Sequence, residues 1–148
     1  MSPVLVIGVG NPSRGDDALG PTFVERLAGL PDVDLLTDFQ LQIEHALDLT
    51  GRTRVFFVDA SLREGVHLDR IEPRSDEAAQ THALSPQAVL EIHRQVVGPP
   101  PEAFVLSIGG ASFQLGDELS ASARANLEQA LALFHRSLSP LGHLDHVR

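Results

Sequence analysis

Val4-Leu5-Val6-Ile7-Gly8-Val9-Gly10-Asn11-Pro12-Ser13-Arg14-Gly15-Asp16-Asp17 opens the chain with an apolar run that ends in glycines and a pair of carboxylates. The run is apolar at nearly every position rather than at alternate ones, which predicts a strand over 3–9 covered on both faces. Beyond it, Leu19, Phe23, Val24 and Leu27 recur at three- and four-residue spacings, predicting a helix over 17–27. Asp16 is a candidate cap for that helix, and Pro21 is tolerable only in its first turn. A buried strand, a glycine turn and an amphipathic helix together open an α/β fold.

The same succession continues outward. A strand is expected at 33–37 and a short helix at 43–49, with Ile43, Ala46 and Leu47 on its inner face. Arg54-Val55-Phe56-Phe57-Val58-Asp59 reads as a second fully buried strand. Val66 to Ile71 alternates apolar with polar, as an edge strand with one wet face does. The link 60–65 is too short for a crossover helix, so this strand is expected antiparallel to 54–59. A helix over 85–97 has Ser85 as cap and Pro86 at its first position, and turns Val89, Ile92 and Val96 inward. A strand at 104–108 and a helix at 120–137, with Leu127, Ala130, Leu131 and Phe134 along one face, complete the pattern. The fold class expected is α/β, a three-layer αβα arrangement with a mixed, mostly parallel sheet of about five strands. One domain spanning 1–148 is expected, with a mobile tail from about residue 139.

Composition narrows the chemistry. Eleven Lys and Arg against 20 Asp and Glu give a formal charge of −9, and no basic stretch is dense enough to follow a phosphate backbone, so nucleic acid is not an expected partner. The absence of cysteine excludes disulfides, thiolate metal sites and a cysteine nucleophile. Charged residues interrupt every apolar stretch before it reaches bilayer length, and Met1-Ser2-Pro3 lacks the basic start of an export signal; a cytoplasmic protein without membrane insertion is expected.

In parallel α/β sheets ligands bind at the carboxyl ends of the strands, where this chain carries Gly10-Asn11 with Asp16-Asp17, then Asp38, then Asp59. Gly8-Val9-Gly10 invites a dinucleotide reading, but Ser13 stands where the third glycine belongs. Two carboxylates also occupy the helix start, where a pyrophosphate needs uncompensated N–H donors. Asp59 ends an otherwise apolar strand, where a carboxylate is costly to seclude unless hydrogen-bonded, paired or bound to a cation. If the first and third strands are neighbours, Asp17 and Asp59 converge, and His82 from the polar loop 74–82 is a third candidate ligand for a divalent transition ion. Structural alternatives stand beside these roles: helix capping for Asp16 and Asp17, and an ordinary loop or helix-start position for His82. The remaining histidines carry less. His67 lies on the wet edge strand, His93 in a helix, and His45 is expected to face solvent or pack locally, while His135, His143 and His146 do not share a helical period. Ser107 and Ser112 lack the surroundings of a nucleophile elbow.

Taken in order, Val6-Ile7-Gly8-Val9-Gly10-Asn11-Pro12-Ser13-Arg14-Gly15-Asp16-Asp17-Ala18-Leu19-Gly20-Pro21, then Val55-Phe56-Phe57-Val58-Asp59-Ala60, then His82-Ala83-Leu84-Ser85-Pro86, this sequence resembles the nickel-iron hydrogenase maturation proteases. The resemblance implies a cytoplasmic endopeptidase that removes a carboxy-terminal extension from the precursor of the hydrogenase large subunit once nickel has been inserted. It implies that Asp17, Asp59 and His82 contact nickel and serve the cleavage, with Asp16 as the neighbouring acid. The nickel would be carried by the substrate rather than held as a tightly resident cofactor. Asp38-Phe39-Gln40-Leu41 occupies the place of a glycine-rich turn that shapes the substrate cleft in many members, a departure that leaves the substrate subgroup open. Two readings of other classes remain: a noncatalytic nickel-sensing assembly factor using the same cleft, and a small nucleotide-dependent enzyme.

Overall fold

The computed structural model describes residues 1–76 and 83–138. Five strands form one sheet: β1 (Val4–Val9), β2 (Val33–Asp38), β3 (Arg54–Ser61), β4 (Val66–Ile71) and β5 (Glu102–Gly109). The helices are α1 (Leu19–Arg26), α2 (Glu44–Asp48), α3 (Pro86–Val96) and α4 (Ala121–Leu138), and a 3-10 helix at Gly15–Ala18 precedes α1. Strand order is β2-β1-β3-β5-β4, with every pairing parallel except β4 with β5. The mixed, mostly parallel five-stranded sheet is therefore the one expected, and β1 and β3 are direct neighbours through Val9 opposite Asp59.

The partner of β4 is a correction. The short link does reverse the chain, but β5 lies between β3 and β4, so the antiparallel neighbour is β5 rather than β3. Residues 60–65 thus bridge over the end of a strand that comes later in the sequence.

Alternating side chains divide the core in two. Val6, Phe56, Val58, Leu106 and Ile108 face α1 and α4, where Phe23, Leu127 and Phe134 meet them. Leu5, Ile7, Val55, Phe57 and Ala103 face the opposite layer, with Ala46 and Leu49 around α2 and Val89 and Leu90 of α3. In the first layer Phe56 stacks on Phe104 at 5.3 Å, and Phe134 meets Phe23 and Phe56 edge-on. Each such ring, removed from water, contributes about 2–3 kcal/mol toward the entropy of ordering the chain.

Local signals are mostly where the sequence puts them. Ser85 caps α3 by accepting the Ala88 N–H at 3.0 Å, with Pro86 in the first turn. On α4, Leu127, Ala130, Leu131 and Phe134 are buried as expected. The inner faces of α2 and α3 differ from expectation. Ala46 and Val89 are buried as expected, but Ile43 and Leu47 are 66% and 56% exposed while His45 turns inward, and Val96 is exposed while Leu90 and His93 are buried. At five residues α2 is too short for its own periodicity to choose a face, and Leu41 and Leu49 at its flanks fix its orientation. No helix among the described residues is long and apolar enough to cross a membrane.

Candidate active site

The chain leaves β1 toward β2 through α1 and returns to β3 through α2, on opposite faces of the sheet. A crevice opens where the connections diverge, at the carboxyl ends of β1 and β3. It has a volume of about 640 Å³, and its lining includes Asp17, Asp59, Phe39, Phe57, Val105 and Ser107. Register explains the floor: Phe57 lies beside Val105, and one step further along the same face Asp59 lies between Val9 and Ser107.

Asp17 is brought there by two close approaches. A side chain on Gly8 would run into the Gly20 carbonyl at 2.4 Å, so glycine is what lets α1 press against β1. Gly10 has φ +146°, and a Cβ there would meet the Asp17 carbonyl at 2.0 Å. The Asp17 carboxylate then accepts the Asn11 N–H at 2.8 Å. These glycines seat the chain's own backbone and carboxylate where a Rossmann turn would receive a pyrophosphate, which counts against the nucleotide reading.

Asp16 does something other than cap. The residues before the 3-10 helix and before α1 are Arg14 and Ala18, and neither end has a side-chain cap. Asp16 is fully buried, and its carboxylate accepts from the Ala111 and Ser112 N–H groups at 2.7 and 3.0 Å and from the Ser120 N–H and hydroxyl, both at 2.7 Å. Burial pushes its pKa up, but these four donors outweigh it and hold the carboxyl below the usual range. Consecutive carboxylates thus separate: Asp16 pins the loop after β5, and Asp17 lines the crevice. Local sequence held no trace of this role, because the donors lie about a hundred residues away.

Asp59 is exposed in the crevice, so water touches it, but the walls keep most bulk solvent away. That exclusion pushes its pKa up to about 6, the Ala60 N–H opposes the rise, and the charge of Asp17 adds to it. Two carboxylates, one from the 3-10 helix after β1 and one from β3, therefore share one cleft, with the pKa of Asp59 pushed up to about 6. His82 lies outside the described residues, as do His143, His146 and the tail from 139. Ala83 and Leu84, which follow His82 in the chain, line the same crevice. Among the described residues no three His, Asp or Glu side chains form a metal-holding group, and Asp17 and Asp59 supply two hard oxygen donors.

No family model matches the sequence, and no curated protein matches it by sequence. Solved structures do match. The crystal structure of a [NiFe] hydrogenase maturation protease, HycI from Thermococcus kodakarensis KOD1, superposes with a TM-score of 0.68 at 25% identity, over 90% of each chain. The hydrogenase 2 maturation peptidase from Thaumarchaeota archaeon SCGC_AB-539-E09 gives 0.66 at 25% identity, over 92% of this chain and 97% of the other. The chain has the fold of the hydrogenase maturation proteases. The E. coli maturating endopeptidase HybD shares that fold at a TM-score of 0.72 and 24% identity, over 93% and 92% of the two chains. The resemblance to the maturation proteases carried by the glycine pair, Asp16-Asp17 and the strand bearing Asp59 is therefore met by a fold common to nearly the whole chain.

Three histidines outside the crevice lining also have defined partners. His45 packs locally, one of the two outcomes expected for it: it is buried, and its Nδ1 accepts the Gln42 N–H at 2.8 Å. His93 is buried too and contacts the Ala46 carbonyl at 2.8 Å, tying α3 to α2. His67 is half-buried on the edge strand, 2.8 Å from the Glu64 carbonyl.

Proposed function

We propose that this protein is an endopeptidase that removes the carboxy-terminal extension of a nickel-iron hydrogenase large-subunit precursor after nickel insertion. The observation that carries the reading is the convergence of Asp17 and Asp59 in one crevice, in a fold shared with maturation proteases at 25% identity over most of both chains. Nickel belongs to the substrate in this reading. Asp17, Asp59 and His82 contact it as the precursor docks, and the bound ion polarises the scissile carbonyl. Water adds to that carbon and the C–N bond breaks, the departing amine taking up a proton. Two oxygen donors without a thiolate suit a transient contact better than a resident ion. The substrate partner in this reading is the nickel-loaded large-subunit precursor, and the site of action is the cytoplasm.

The test is the intact mass of matched nickel-loaded and nickel-free precursors after incubation with the protein. Only the loaded form should lose one defined carboxy-terminal peptide. Cleavage of both forms would remove the nickel requirement, and binding without a change in mass would favour an assembly factor that inspects the precursor without cutting it.

A further inference from the structure

The crevice floor changes character along one rung of the sheet. On β3 the face turned toward α2 and α3 runs Val55, Phe57, Asp59, and on β5 it runs Ala103, Val105, Ser107, each residue beside its counterpart in register. Val55 and Ala103 are buried, Phe57 and Val105 form the apolar floor, and Asp59 and Ser107 follow together. Two neighbouring strands thus replace an apolar side chain by one bearing oxygen at the same step. Leu106 and Ile108, on either side of Ser107, are fully buried in the opposite layer, so the alternation of β5 turns Ser107 into the crevice.

A serine at a strand end can be no more than a small residue at a wet rim. The place of Ser107 gives it more to do. Neighbouring strands lie about 4.8 Å apart, so oxygens carried by Asp59 and Ser107 on the same face are both within hydrogen-bond reach of one water molecule between them. Asp59 accepts the Ala60 N–H, and a carboxylate has lone pairs left for further donors. Phe57 and Val105, one step down the same face, offer a water no partner.

We propose that Ser107 is a further catalytic residue, whose hydroxyl and the Asp59 carboxylate together hold the water that attacks the scissile carbonyl. The proposal rests on the endopeptidase reading and deepens it. The water donates one hydrogen to an Asp59 oxygen and the other to Ser107 Oγ, which leaves its lone pairs aimed at the carbonyl carbon. One oxygen of Asp59 suffices for this, and the other stays free to meet nickel. A C–O bond forms, the C–N bond breaks, and the proton lost by the water passes through the carboxylate pair to the departing amine. Ser107 itself is never acylated, in keeping with the lack of a nucleophile elbow around it.

The experiment compares wild type with Ser107→Ala, Ser107→Thr and Ser107→Val in the full chain, measuring the Kd of the nickel-loaded precursor and the KM and kcat of its cleavage. Ser107→Ala should lower kcat about tenfold with Kd and KM within about twofold, since the water rather than the precursor loses a contact. Threonine and valine side chains have nearly the same shape and both suit a strand, so that pair isolates the hydroxyl. Ser107→Thr should keep kcat within about threefold of wild type, and Ser107→Val should fall with Ser107→Ala. Should Ser107→Val not fold, the kcat of Ser107→Ala against wild type and Ser107→Thr decides. Equal rates for the Ser107→Thr and Ser107→Val proteins, an unchanged kcat in Ser107→Ala, or a loss confined to KM would overturn the proposal. A wild-type protein that does not cut the loaded precursor sinks the endopeptidase reading and the proposal with it. A wild-type protein that cuts, beside a Ser107→Ala protein that cuts equally well, sinks the proposal alone.

Discussion

Asp16 and Ser120 stand 104 residues apart and are joined twice, the carboxylate accepting the Ser120 backbone N–H and its hydroxyl at 2.7 Å each. Ser120 in turn accepts the Ala123 N–H in the first turn of α4, so one buried carboxylate fixes both the loop after β5 and the start of the closing helix.

Asp16→Ala should destabilise the fold by about 3 kcal/mol or more at neutral pH, because it leaves several N–H donors without an acceptor. The pH dependence follows from the lowered pKa. The folded state binds the proton less readily than the unfolded chain, so the stabilisation is complete above the ordinary value of 3.8 and is lost as pH falls through the folded value. Urea midpoints of wild type and variant should therefore converge in acid; a constant gap down to low pH would show that the charge of Asp16 is not what matters.

Asp59 has the opposite sign. Its pKa of about 6 means that the folded state holds a proton which the unfolded chain has already released, so its contribution to stability declines as pH rises between the ordinary carboxylate range and about 6. Asp59→Asn should be neutral or stabilising above pH 7 and gain little near pH 4. Cleavage, which in the proposed mechanism uses the ionised carboxylate, should rise with pH through about 6 in the wild type. Loss of activity in Asp59→Asn without loss of thermal stability would separate function from folding.

Gly10→Ala should disable the site as well as weaken the fold. A methyl group there collides with the Asp17 carbonyl at a positive φ, whereas Gly29, at φ +88° with nothing within 4 Å, provides a control for backbone strain alone. Gly29→Ala should cost about 1 kcal/mol in urea titrations, with cleavage intact. Gly10→Ala should cost more and abolish cleavage; equal effects would mean that the approach of Asp17 to Gly10 is not important.

Asp17→Asn should slow cleavage at least tenfold, on the order expected when a charged metal contact is lost, while leaving the melting temperature within a few degrees. The amide can still accept the Asn11 N–H that Asp17 accepts now. Protein dialysed against a chelator should retain well below one metal per chain by elemental analysis, with cleavage of the nickel-loaded precursor undiminished. A full equivalent that resists chelation would point to a resident ion.

The layers of the fold were legible because buried parallel strands and amphipathic helices write their burial into local periodicity: β1, β3, α3 and α4 lie within a residue or two of their expected spans. What local pattern could not carry is the choice of partner. Nothing in 66–71 says that its neighbour will be 102–109 rather than 54–59, and nothing around Asp16 names Ala111, Ser112 and Ser120. Around the crevice the apolar rule inverts, since Phe39 is left exposed while His45 is buried. The glycines and aspartates that shape the cleft were visible as a motif, but the reason for Gly10, the carbonyl of Asp17, became visible only with the backbone in place.

The position of β5 between β3 and β4 sets an order of events during synthesis. As the nascent chain leaves the ribosome, β1, β2 and β3 can pair with one another at once, but β4 has no strand to join until residues 102–109 emerge. Until then the inner edge of β3 is an unpaired template with Phe56 and Phe57 in it, open to any other extended chain. The strand that closes this gap is also the one whose following loop Asp16 binds, so completion of the sheet and anchoring of the loop beside the crevice coincide. A nascent chain halted before β5 has neither.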